Sequence, residues 1–133
     1  MSGGAVRRFR APGLHDGGFV HGAVVPSGAT VFTAGISPLD DDGAIVGVGD
    51  ATEQTHRCLE CLAAVLDEAG ASPAGIAKLT VYVATADPAV LGQVWQAVDA
   101  GFPETPPAIV LGVTALPYPG QLVELDAVAA AEH

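Results

Sequence analysis

Apolar residues in this chain recur with two different periods, and the change of period marks its elements. In "QLVELDAVAA", residues 121–130, the alternation is that of a strand. One face carries Val123, Leu125, Ala127 and Ala129; the other carries Leu122, Glu124, Asp126 and Val128. "FVHGAVV" (19–25), "TVFTAGI" (30–36), "IAKLTVYVA" (76–84) and "AIVLGVTA" (108–115) also read as strands, and "PSGA" marks a turn between the first two. "LDDDGAIVG" (39–47) reads as a turn followed by strand character. The period becomes helical in "DATEQTHRCLECLAAVLDEAG", where Leu59, Leu62, Ala63, Leu66 and Ala69 recur at helical spacing. Asp50 is placed to cap that helix with Glu53 three residues on, and Gly70 to stop it. A second helix is predicted in "DPAVLGQVWQAVDAGF", with Asp87 as cap, Pro88 at the first position and an apolar stripe of Val90, Leu91, Val94, Trp95 and Val98.

Two amphipathic helices need one sheet to cover, so the order predicts an α+β fold of two layers, with helices on one face of a mixed sheet. No repeat or linker interrupts the chain of 133 residues, which reads as one domain, 1–133, with an irregular arm over 1–16. The second face of the sheet then needs a cover of its own. Half of the residues are hydrophobic and mean hydropathy is +0.42, so that surplus apolar surface predicts an oligomer.

Charge narrows the partners. The formal net charge is -10, and three of the five basic residues, Arg7, Arg8 and Arg10, lie in the first ten. A nucleic-acid surface needs clustered cations to displace counterions, so this balance argues against nucleic acid as a partner. No apolar run approaches the roughly 18 residues of a membrane span, and the N-terminus lacks a signal-like apolar core. The expectation is a cytoplasmic protein with no membrane partner.

Candidate chemistry is sparse. Cys58 and Cys61 form one C-x-x-C pair with no second half for zinc; on a helix they share a face and read as packing. Asp40, Asp41 and Asp42 do not follow the spacing of a calcium loop and read as a solvated turn. No metal and no cofactor is predicted. Glu124 and Asp126 share a strand face roughly 7 Å apart, close enough to share a proton or polarise a water, unless they line a solvated edge. "PPAIVLGVTALP" (106–117), by contrast, has no charge and one hydroxyl, Thr114.

Taken together, "GGFVHG", "VFTAGISPLDDDGAIVG", "EQTHRCLECLAAVLDEAGAS", "IAKLTVYVATADPAVL" and "FPETPPAIVLGVTALP" followed by "VELDAVA" resemble the Rid family of reactive-intermediate deaminases, the YjgF-type or L-PSP endoribonuclease-like proteins. The resemblance runs from about Gly17 to Ala129. It implies a chorismate-mutase-like fold and a homotrimer whose sheets form a central barrel, with small-molecule clefts between subunits. Deaminating members carry an arginine that binds a substrate carboxylate; the matching position here is Ala108, and the nearby cysteine position is Val110. The family's serine-glycine-glutamine stretch becomes Ala34-Gly35-Ile36, its cleft tyrosine Phe19 and its helix asparagine Gln93. The glutamate thought to orient water matches Glu124.

The resemblance therefore implies a cleft stripped of its anion clamp but holding one acid. Glu124 is the candidate for proton transfer, with His15 and His21 as possible partners beside the cleft-lining loop. Asp126 is a further candidate, and Tyr118 is placed to reach the cleft mouth. The expected function is acid-base chemistry (hydrolysis, tautomerisation or cyclisation) on an uncharged enamine, imine or enol, of the kind found in specialised metabolism. The alternatives are a non-catalytic trimer binding a ligand or protein, ordinary 2-imino acid deamination, and ribonuclease activity.

Overall fold

The computed structural model describes residues 6–13 and 20–132. Among these residues nine elements follow in order: β1 Arg7–Phe9, β2 Gly22–Val24, β3 Thr30–Phe32, α1 Ala51–Glu68, a 3-10 turn Pro73–Gly75, β4 Ile76–Val83, α2 Pro88–Ala100, β5 Ala108–Gly112 and β6 Val123–Ala130. Among the described residues, β3, β6, β4 and β5 form a mixed sheet in that order. β6 runs antiparallel to both neighbours, and β4 and β5 are parallel, joined across α2. β1 and β2 form a separate antiparallel pair.

Local chemistry explains both helices. The Asp50 carboxylate accepts the Glu53 N–H at 3.0 Å, and Asp87 accepts the Ala89 N–H at 2.9 Å, each satisfying an amide that the helix leaves unpaired. Gly70 adopts φ +75 just past α1, a conformation that a side chain resists. α1 buries Ala51, Gln54, Thr55, Cys58, Leu62 and Leu66, while Ala63 and Ala69 of the predicted stripe stay exposed. The face turns toward its start because Gln54 is fully satisfied there. Its Nε2 donates to Gly47 O and Gly120 O, and its Oε1 accepts the Leu122 N–H at 2.7 Å.

The core lies between the helices and one sheet face. Leu79, Val81, Val83, Val123, Leu125 and Ala129 are fully buried against Leu62, Leu66, Val94 and Val98. The strand predictions were too long where the chain leaves the sheet. β3 ends at Phe32, β5 at Gly112, and residues 39–47 close only a single bridge, Leu39 to Ile45. The arm predicted to be irregular contains a strand. β1 is anchored by Arg8, whose guanidinium donates to the carbonyls of Pro73, Ile76 and Glu104 at 3.0–3.3 Å. That anchor was invisible to pattern because its acceptors are backbone carbonyls far along the chain.

Candidate functional site

Among the described residues no helix covers the second face of the sheet, and this face carries Glu124, Asp126, Tyr82 and Lys78. Pairing in register sets its rows: Glu124 lies opposite Tyr82, Asp126 opposite Thr80, and Val128 opposite Lys78. On the far side of β4, Thr80 pairs with Ile109 and Tyr82 with Leu111. Phe32 faces Val128 from β3 and is 74% exposed. β6 is thus a central strand, not the solvated edge that alternation alone allowed. Its two carboxylates are half-buried between neighbours.

Each carboxylate has its own donors. Glu124 Oε1 accepts from Ser37 Oγ at 3.1 Å and from Gln121 Nε2 at 3.3 Å. Asp126 Oδ2 accepts the Tyr82 hydroxyl at 3.1 Å. Partial burial, then this bond, then the negative charges of Asp126 and Glu124 push the Tyr82 phenol upward.

The approach to Glu124 is set by an irregularity after β3. Thr33 N–H donates to Ala127 O, and Ile36 N–H to Leu125 O. The chain from Thr33 to Ile36 therefore holds one residue more than the stretch of β6 it opposes, as in a β-bulge. Ala34 and Gly35 take up the excess. A Cβ on Gly35 would stand 2.7 Å from Glu124 Oε2, so a side chain there would displace that oxygen.

The remaining predicted site residues divide. Ala34 is exposed, beside the bulge. Tyr118 is exposed, and its N–H donates to Gln121 Oε1 at 3.2 Å, so its backbone joins the site. Ile36, Ala108 and Val110 belong to the helix-covered face: Ile36 bridges Leu125, Ala108 pairs with Leu79, and Val110 pairs with Val81. They pack in the core and do not meet Glu124 on the open face; Ile109 and Leu111 are the β5 side chains that share its side. Gln93 is exposed on α2, in the opposite layer. His21 accepts the Ala11 N–H at Nδ1, 2.8 Å, which holds it in the β1–β2 hairpin. That hairpin is anchored at Ile76, roughly 20 Å along β4 from Tyr82 at strand rise. His15 and Phe19 lie outside the described residues.

Ser37, Gln121, Tyr82 and Lys78 escaped the sequence reading. The signal for two of them was present, since "IAKLTVYVA" alternates and sets Lys78, Thr80 and Tyr82 on one face. Lys78 is exposed there, on the order of 13 Å from Tyr82 at strand rise. Cys58 is buried, and desolvation first, then the nearby Cys61 and Glu124 charges, push its thiol up to about 12; it is a packing residue and not a nucleophile. Among the described residues no group of three His, Cys, Asp or Glu is placed to hold a metal ion. No helix among them is long and apolar enough to cross a membrane.

Comparison with known proteins agrees with the fold. The profile of the family described as Endoribonuclease L-PSP matches residues 13–131. A RutC family protein of Pyrococcus abyssi is 36% identical over 104 residues, 77% of this chain and 79% of that protein. The 3-aminoacrylate deaminase RutC of Acinetobacter baylyi is 34% identical over 100 residues, 74% of this chain and 77% of its own. Among solved structures, a Rid-family protein of unknown function from Yersinia pestis, YyfB, superposes with a TM-score of 0.85 at 30% identity, covering 96% of this chain and 99% of that one.

Proposed function

The chain belongs to the Endoribonuclease L-PSP family, among its Rid and RutC members, and from that premise we propose that it is an acid-base enzyme acting on a small, uncharged enamine, imine or enol, with Glu124 moving the proton. Membership supports a role of the imine or enamine deaminase type in general. The observation that carries the finer reading is the state of Glu124. It is half-buried, one carboxylate oxygen accepts from Ser37 and Gln121, and the other, with no hydrogen-bond partner among the described residues, lies against Gly35. A solely structural carboxylate in that setting would be a burden on folding.

For an enamine the steps balance as follows. The Glu124 carboxyl protonates the enamine carbon, giving an iminium. The resulting carboxylate takes a proton from water as its oxygen attacks the iminium carbon. The carbinolamine collapses to a carbonyl compound and ammonia, so one water is consumed for each ammonia released. The nearest cation identified on this face, Lys78, stands well away from Glu124, which favours substrates that need no carboxylate clamp. The cleft is completed by further copies of the chain in a homotrimer. The exposed Phe32 and Ile109 on the open face supply apolar surface for that contact. Sedimentation showing a monomer at micromolar concentration would remove the cleft.

The direct test uses 3-aminoacrylate, the substrate in the Acinetobacter baylyi relative's name, beside its neutral methyl ester, with ammonia release as readout. The ester is expected to turn over at least as fast as the acid, and Glu124→Gln to lose roughly a hundred- to ten-thousand-fold. Glu124→Gln at the wild-type rate would reassign the chemistry. Saturable binding of the ester with no turnover would favour a non-catalytic binding trimer. Ribonuclease activity is disfavoured by the net charge of -10 and by Arg8, whose guanidinium is spent on backbone carbonyls.

A further inference from the structure

We infer that Gln121 and Ser37 are positioning residues that fix which oxygen of Glu124 handles the proton: Oε1 is held as an acceptor, and Oε2, over Gly35, is the working oxygen. The inference rests on the proposed acid-base role of Glu124 and adds the device that orients it. Hydrogen-bond polarity along one chain of groups carries the argument.

Gln121 is 5% exposed, and its amide is oriented by two backbone groups whose polarity is not negotiable. Tyr118 N–H can only donate, and meets Oε1 at 3.2 Å; Val123 C=O can only accept, and meets Nε2 at 3.1 Å. A flipped amide would set donor against donor and acceptor against acceptor. With Nε2 so placed, it also faces Ser37 Oγ at 2.9 Å. An amide nitrogen does not accept, so Ser37 receives that bond on a lone pair and turns its own proton to Glu124 Oε1 at 3.1 Å. Oε1 thus accepts from Ser37; with one Nε2 proton on Val123 O, the second is shared between Ser37 Oγ at 2.9 Å and Oε1 at 3.3 Å. A proton on Oε1 would oppose both donors, so an acid proton resides on Oε2. That oxygen stands where a Cβ on Gly35 would lie 2.7 Å away. The bulge and the relay therefore act on opposite oxygens of one carboxylate.

The test needs no substrate. The Glu124 side-chain carboxyl is followed by carbon-13 NMR at neutral pH, and assigned by its loss in Glu124→Gln. Asp126 on the same strand, Tyr82 opposite and Cys58, the other titratable groups near Glu124 among the described residues, stay unchanged in the variants. Removing a donor changes the hydrogen bonding of the carboxylate, so Ser37→Ala should shift the resonance from its wild-type position. Ser37→Thr, which keeps the hydroxyl, should restore it. Gln121→Glu keeps an acceptor for Tyr118 but loses the donor, and should shift the resonance as well. An unmoved resonance in folded Ser37→Ala overturns the relay, as does an unmoved resonance in Gln121→Glu should the alanine variant fail to fold. A wild-type protein inactive on the enamine probes would remove the proposed reaction while leaving this measurement to be judged by itself.

Discussion

The two faces of the sheet are built from the same strands and obey different rules. On the helix-covered face, Leu79, Val81, Val83, Val123, Leu125 and Ala129 are fully buried and apolar without exception. On the open face the same strands carry Thr80, Tyr82, Glu124 and Asp126, half-buried, with Phe32 and Ile109 exposed at the flanks. The covered face is under one demand, to exclude water at close packing. The open face holds charge beside apolar surface, and each buried part of that charge has a named donor. Side chains on one face hold the fold, and side chains on the other are free to do chemistry.

Four measurements sharpen or break that contrast. The largest effect should come from Leu125→Ala on the covered face, about 2–5 kcal/mol in urea unfolding, because a fully buried side chain leaves a cavity against α1. A loss under 1 kcal/mol would mean that the faces are not so differently loaded. Next is Gln54→Leu, which removes bonds to Gly47, Gly120 and Leu122 and leaves partly buried backbone groups without this partner. We expect about 1–3 kcal/mol, with hydrogen exchange at Leu122 accelerated.

The third concerns pH. Burial raises the Cys58 thiol from 9.0 to about 12 in the folded protein. Between those values the unfolded chain has lost the proton and the folded one keeps it, so stability falls as pH rises. Below about pH 9 this contribution is fully present; approaching pH 12 it is lost. Cys58→Ala should flatten that part of the alkaline stability profile. An unchanged slope would show that the thiol is not sequestered. The smallest effect belongs to the open face: Tyr82→Phe removes one partly exposed bond to Asp126 and should cost less than about 1 kcal/mol by thermal unfolding. A larger loss would make Tyr82 part of the scaffold.

Much of this was legible along the chain. The helix caps at Asp50 and Asp87, the strand spanning Ile76–Val83 and the alternation of Val123–Ala130 are local properties of neighbouring residues, and they appear where the pattern put them. The site was legible only in part. Glu124 and Asp126 share a face as alternation requires, but Ile36, Ala108 and Val110 were assigned to a cleft by matching positions to a family. Strand register, which pattern does not state, turned them into the core.

By itself, then, the order of residues determined which segments become helix and strand, that two helices cover one sheet face, and that the other face carries an acid pair. Those outcomes follow from local dihedral preference, capping and the period of apolar positions. Tertiary structure alone decided the rest. It made β6 central, inserted the bulge that sets Gly35 against Glu124 Oε2, and brought Ser37 and Gln121, 84 residues apart, onto one carboxylate oxygen. The physical reason is that a hydrogen bond needs two groups within about 3 Å and correctly aimed, and for distant residues only register and packing set that distance.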